Sequence, residues 1–239
     1  MHLRDRLKRR FPFLSPWYRA VRYRELAPPF RRRYALGRLH EEIKLIVGGA
    51  RGGFFLEAGA LDGIYQSNTA YLESYLGWRG ILVEALPTKV AECVRNRPKS
   101  RVLHCGLVRF GYEKPYIELR DLDAETVVDG IEGVDVERRV ESHHELGFAH
   151  HGTRFLAPAR TLDSVLADFG YPAIDLFSLD VEGAELEVLR GVDFRRATIR
   201  NLVIETERLG DVESLLELHG YVLVKQLTFH DYHFALSQK

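Results

Sequence analysis

Four short, largely apolar stretches in this chain each carry a carboxylate at or near their end: about 53–58 with Glu57, Gly80 to Glu84, Ala173 to Asp180 and Ile199 to Glu205. Runs of this length, bounded by glycines or polar turns, read as strands buried on both faces. Stretches of helical spacing stand between them. They cover about 68–76, about 87–96 with Pro87 in the first turn, about 161–169 ended by Gly170, and Glu185 to Arg190 closed by Gly191. Strands alternating with helices build parallel βαβ units, so the pattern predicts an α/β fold. Around this frame, Tyr34 to Val47 is expected to be a helix and Arg101 to Cys105 a third central strand. A helix near 211–218 and strands near 220–227 and 232–237 complete the expected set.

In an open parallel sheet, ligands bind beyond the carboxyl ends of the strands. Glu57, Glu84, Asp180 and Glu205 fall at four such ends. Carboxylates brought together repel unless a cation or hydroxyl donors satisfy them, so their convergence marks a site. Glu84, ending the second strand, is placed to accept hydrogen bonds from both hydroxyls of a ribose. Asp180 has several roles open to it: holding an ammonium group, holding a divalent metal, taking a substrate proton, or capping the helix that follows.

The loop after the first strand, Gly59-Ala60-Leu61-Asp62-Gly63, calls for glycine where the backbone turns sharply and a ligand approaches. Ser67 or Asn68 is positioned to cap the next helix. The spacing is not that of a dinucleotide fingerprint, because Leu61 stands where its second glycine is required. Asp62 would also repel a pyrophosphate. It suits a positive or neutral ligand group, such as the amino and sulfonium ends of S-adenosylmethionine, and argues against NAD.

The 239 residues suffice for one α/β domain, here 39–239, preceded by a basic and aromatic arm over 1–38. The chain is formally neutral, yet the arm carries twelve Arg and Lys against Asp5 and Glu25. Two roles are open to it. It either contacts an anionic surface such as membrane headgroups or a glycan precursor, or extends from the domain with its aromatics packed on the domain or a second subunit. Nucleic acid is the less expected partner. Cys93 and Cys105 form neither a disulfide framework nor a zinc spacing. No run has the length of a membrane span, and the N-terminal charges lack an apolar signal core, so the expected location is cytoplasmic. From about 108 to 158 the periodicity fades, as expected for a lid over the crevice or a surface loop with short strands. It holds His143-His144 and His150-His151, whose expected place is an exposed loop.

Several motifs together resemble the FkbM-like family of methyltransferases. They are Gly59-Ala60-x-Asp62-Gly63 with Ser67-Asn68-Thr69, Leu72-Glu73, Gly77-Trp78-x-Gly80, Val83-Glu84, Asn96-Arg97-Pro98 and Val203-Ile204-Glu205-Thr206-Glu207. The most specific is Asp175-Leu176-Phe177-Ser178-Leu179-Asp180-Val181-Glu182-Gly183-Ala184-Glu185. The resemblance spans about 50–236. It implies a Rossmann-like, class I methyltransferase three-layer sandwich, with a mostly parallel seven-stranded sheet whose last strand is antiparallel.

It further implies S-adenosylmethionine as cofactor, held by Glu57, Gly59, Ala60, Asp62, Gly63, Asn68, Glu84 and Asp180, and methyl transfer to a hydroxyl of a sugar, glycan or natural product. Asp180 and Glu182 match the family's Asp-x-Glu-Gly signature. The third strand ends His104-Cys105-Gly106, without the acid that many class I enzymes direct at adenine, which leaves adenine to backbone groups. The base is expected to be Asp180 or Glu205, or a loop histidine, His150 or His151. A divalent ion held by Asp180 and Glu205 is an alternative way to acidify the hydroxyl, and the metal-free route is preferred. The competing expectation is a non-catalytic module of the same fold that engages a partner through the arm and lid.

Overall fold

The computed structural model describes residues 35, 38–122, 126–128, 136, 137, 141 and 152–237. The expected arm is thereby outside the described residues except for Ala35 and Arg38, as are His143, His144, His150 and His151.

Seven strands make the main sheet: β1 (Phe54–Ala58), β2 (Arg79–Glu84), β3 (Arg101–His104), β8 (Leu176–Leu179), β9 (Asn201–Glu205), β10 (Tyr221–Gln226) and β11 (Asp231–Leu236). Their order is β10-β11-β9-β8-β1-β2-β3. All neighbouring pairs are parallel except those of β11, which runs antiparallel to both β9 and β10. This is the class I methyltransferase topology, a doubly wound sheet whose order reverses between β1 and β8.

Helices cover both faces. On one side lie α4 (Leu162–Asp168), α5 (Glu185–Leu189) and α6 (Leu209–Glu217), packed through Leu162, Val165, Leu186, Val188, Val212 and Leu216 on Leu56, Ile81, Phe177 and Ile204. The other side holds α1 (Leu39–Val47), α2 (Ala70–Leu76) and α3 (Pro87–Asn96), packed through Leu39, Ile43, Leu72 and Cys93 on Phe55, Leu82, Leu176 and Val203. Alternate residues of each strand serve alternate layers, the period-2 geometry of a sheet buried on both faces.

The region of faded periodicity contains a second, four-stranded sheet of order β4-β7-β5-β6: β4 (Gly106–Leu107), β5 (Tyr116–Asp121), β6 (Thr126–Val128) and β7 (Thr153–Arg160). The third strand is shorter than expected. It stops at His104, and after Cys105 the chain enters β4, which pairs with β7 in the second sheet. The inner side of this small sheet, with Ile117, Leu119, Val128 and Ala157, packs on Val108 and Ala184. The first helix begins at Leu39, five residues later than Tyr34.

Candidate active site

A cavity of about 470 Å³ opens at the carboxyl edge, across the point where strand order reverses. The loop after β1 lines it through Gly59, Leu61, Tyr65, Gln66 and Asn68, and β2 contributes Glu84. From β8 and its following turn come Asp180 and Glu182; Glu205 and Asp231 close the far side. Leu119, Thr126 and Val128 of the small sheet also face it, so part of the expected lid region forms a wall of the crevice. Three of the four non-glycine residues with positive φ among the described residues lie here: Leu61, Gln66 and Glu182, at +49°, +56° and +54°. Such backbone persists only where its surroundings hold it, and it gathers at functional sites.

Glu84 is buried, and each of its oxygens accepts one backbone N–H, from Leu61 at 2.7 Å and from Leu86 at 2.8 Å. A carboxylate offers about four lone-pair directions, so each oxygen keeps acceptor capacity. Burial outweighs these bonds and the nearby Lys89, pushing the Glu84 carboxyl up to about 7. Asp180 is driven well above the usual carboxylate range, first by burial and then by the charges of Glu205, Glu182, Glu185 and Asp231. Burial also raises Asp231. Asn68 donates its amide to Ser178 Oγ at 2.9 Å, while its Oδ1 is buried with no hydrogen-bond partner.

Glu57 is turned elsewhere. As the fourth residue of β1 it shares the face of Phe55, towards α2 and α3, and it does not line the cavity. Its carboxylate accepts from Ser67 Oγ (3.0 and 2.9 Å to its two oxygens), from Asn68 N at 2.8 Å and from Thr69 Oγ1 at 2.6 Å. Arg97, buried beside it, bonds Glu73 at 2.9 Å and reaches Glu57 at 3.5 Å. Asp62 is likewise occupied within its own loop, where Oδ1 accepts from Ile64 N and Tyr65 N at 2.8 and 2.6 Å. Ala60 is packed in the core.

The glycines answer to the protein's own packing. A Cβ on Gly59, at φ +82°, would stand 1.7 Å from the Asp180 carbonyl oxygen; one on Gly63, at φ +78°, would strike Arg97 and Cys93. Neither expected residue is the N-cap of α2, which is Thr69 and has no side-chain cap, although Ser67 Oγ accepts from Ala70 N at 3.1 Å.

Of the expected cofactor residues, the cavity thus brings together Gly59, Asn68, Glu84 and Asp180, whereas Glu57, Ala60, Asp62 and Gly63 do not line it. Asp180 and Glu205, two of the expected bases, share the cavity; His150 and His151 are outside the described residues. Asp231 was not anticipated. It starts an antiparallel strand, and its register partner is Glu205, so it reaches the rim from the opposite chain direction. Among the described residues no group of three His, Cys, Asp or Glu is disposed to hold a metal ion, and no helix is long and apolar enough to cross a membrane.

Strand order and a rim of acids at the switch point define a class I methyltransferase domain. The family profile described as the methyltransferase FkbM domain matches residues 57–223, and the chain belongs to that S-adenosylmethionine-dependent family. The methyltransferase sdnD of Sordaria araneosa is 48% identical over 63 residues, which are 24% of this chain and 24% of that protein. The match thus spans about a quarter of that curated relative's length. Two solved structures are similar to the chain. A TehB-like SAM-dependent methyltransferase from Corynebacterium glutamicum has 17% identity, coverage of 95% of this chain and 100% of that one, and a TM-score of 0.43. TrmK of M. capricolum, in complex with S-adenosylhomocysteine, has 11% identity, coverage of 85% and 68%, and a TM-score of 0.46.

Proposed function

We propose that the protein transfers a methyl group from S-adenosylmethionine to a hydroxyl of a sugar, glycan or natural-product acceptor. The observation that carries this reading is Asp180, a half-buried carboxyl of raised pKa that lines the same cavity as Glu84. The residues present fit the cofactor. Glu84 keeps acceptor capacity on both oxygens for ribose hydroxyls, and Asn68 Oδ1 is a buried acceptor lacking a donor, which an ammonium group would supply. When bound, S-adenosylmethionine supplies a methyl group already activated on a sulfonium centre.

The protein's remaining tasks are alignment and proton removal. Asp180 takes the proton that the acceptor hydroxyl gives up as it is methylated. Burial and the neighbouring Glu205 make it a stronger base than an exposed aspartate. Leu119 and Val128 limit water on one side of the cavity.

Methyl-labelled cofactor incubated with a panel of saccharides and polyhydroxylated natural products tests this. Expected are an ether-linked label with wild type and a fall of about 100-fold or more in Asp180→Asn. S-adenosylhomocysteine should bind that variant within a few-fold of wild type. Label appearing only on nitrogen or carbon would refute hydroxyl transfer, and full turnover by Asp180→Asn would refute the assigned base.

A further inference from the structure

We infer that Arg97, which does not touch the cavity, is a positioning residue that shapes the cofactor loop before any ligand arrives; this rests on the cofactor reading above. Arg97 follows α3, immediately before Pro98, and is 1% exposed. Proline disfavours helical backbone in the residue before it, which ends the helix here. The side chain then runs inward beneath the β1–α2 loop, its guanidinium 5.1 Å from the centre of the Phe55 ring.

Each end of that guanidinium holds a different part of the loop. Nη1 donates to the Gly63 carbonyl at 3.0 Å and to Ser67 Oγ at 3.1 Å, and Nη2 donates to Thr69 Oγ1 at 2.9 Å. Nε is anchored to Glu73 on α2 at 2.9 Å. Beside it, Asn96 Nδ2 donates to the Asp62 carbonyl at 2.8 Å. The end of α3 therefore grips the loop at 62 and 63, at its apex, and again at 67 and 69, where α2 begins.

The positions between and around these grips need holding. Leu61 and Gln66 adopt positive φ, and both line the cavity, as do Tyr65 and Asn68. Without the grip, ordinary L-residues relax out of that region. Leu61 N would then lose its bond to Glu84, and Asn68 its place in the wall. A loop fixed in advance loses less entropy on binding, so Arg97 acts on affinity for the cofactor. Lysine cannot substitute. It keeps the charge between Glu57 and Glu73, but its donors radiate from one atom and do not span Glu73, Gly63 and Thr69 together.

The test uses the full chain, with S-adenosylhomocysteine as probe in titration calorimetry and with amide hydrogen exchange on the unliganded protein. In Arg97→Lys the dissociation constant should rise about tenfold. Exchange should accelerate at Leu61, Tyr65 and Asn68 while β8 and β9 stay protected. A role confined to general stability would lower the melting temperature and the active fraction, and leave the dissociation constant and this local pattern unchanged.

If wild type binds the probe and folded Arg97→Lys binds it equally, the inference is overturned and the cofactor reading stands. If wild type does not bind, both fall. Should Arg97→Lys fail to fold, the exposed Asn96→Ala decides. Binding weakened about threefold or more supports the clamp, and unchanged binding overturns it.

Discussion

Glu57, near the end of β1, and Asp180, just past the end of the neighbouring β8, stand at the same edge of one sheet, and their surroundings are opposite. Around Glu57 stand a guanidinium, two hydroxyls and a backbone N–H. Asp180 has Glu205, Glu182, Glu185 and Asp231 acting on it, and its carboxyl rises accordingly. Glu57 is buried and Asp180 half-buried, a difference in depth too small to account for so sharp a contrast. The difference lies in what neutralises the charge. The Glu57 group is closed within the protein by its own hydrogen-bond donors, whereas the Asp180 group opens on a cavity.

The sharpest way to break this contrast is Arg97→Met, which leaves Glu57 and Glu73 buried without a cation. Urea unfolding should show a loss of roughly 3–5 kcal/mol, the usual cost of removing one partner from a buried pair. A loss under about 1 kcal/mol would mean that the hydroxyls alone satisfy the two carboxylates.

The cavity side predicts a pH dependence almost as large. Glu84 titrates near 7 in the folded protein against an ordinary 4.5, so between these values the folded state holds a proton that the unfolded chain releases. Its contribution to stability is therefore greatest below about pH 4.5 and is lost as pH rises through 7, amounting to about 3 kcal/mol. Unfolding free energies measured from pH 5 to pH 8 should fall, with a flatter slope in Glu84→Gln. Equal slopes in the two proteins would place the titration elsewhere.

Asp180→Asn should move stability the other way, gaining about 2 kcal/mol at pH 8 by removing one of the repelling charges. Reduced stability at that pH would mean that the Asp180 carboxylate is satisfied after all. The smallest effect is expected for Ser67→Ala, which removes both a donor to Glu57 and the acceptor of Ala70 N, at about 1 kcal/mol by thermal unfolding. A neutral outcome would show that the Glu57 group does not depend on its hydroxyls.

The central strands were legible because each is buried on both faces, and an unbroken apolar run ending in a turn admits few readings. For the same reason the boundaries of β2 and β9 agree with expectation to within about two residues. The small sheet was not legible. Its strands leave Tyr116, Glu118 and Leu156 facing outward, so they lack continuous apolar runs, and β7 pairs with β4 and β5 across long stretches of chain. Side-chain direction was the other loss. Glu57 and Glu84 both stand at strand ends, and only the register of the folded sheet turns one towards α2 and the other into the cavity. Arg97 stood in a recognised motif without a role, because its partners come from the loop, α2 and β1, and no spacing along the chain brings them together.

The place of β11 in the sheet has a consequence for how the molecule is made. That strand lies between β9 and β10, although both precede it in the chain. During synthesis, at about 5–20 residues per second, every other described strand emerges first. Until β11 slots in, β9 and β10 have no shared neighbour and the rim lacks Asp231. The pocket is thus completed only after its other described strands have been made, and a nascent chain halted before residue 231 carries most of the described fold without the complete site.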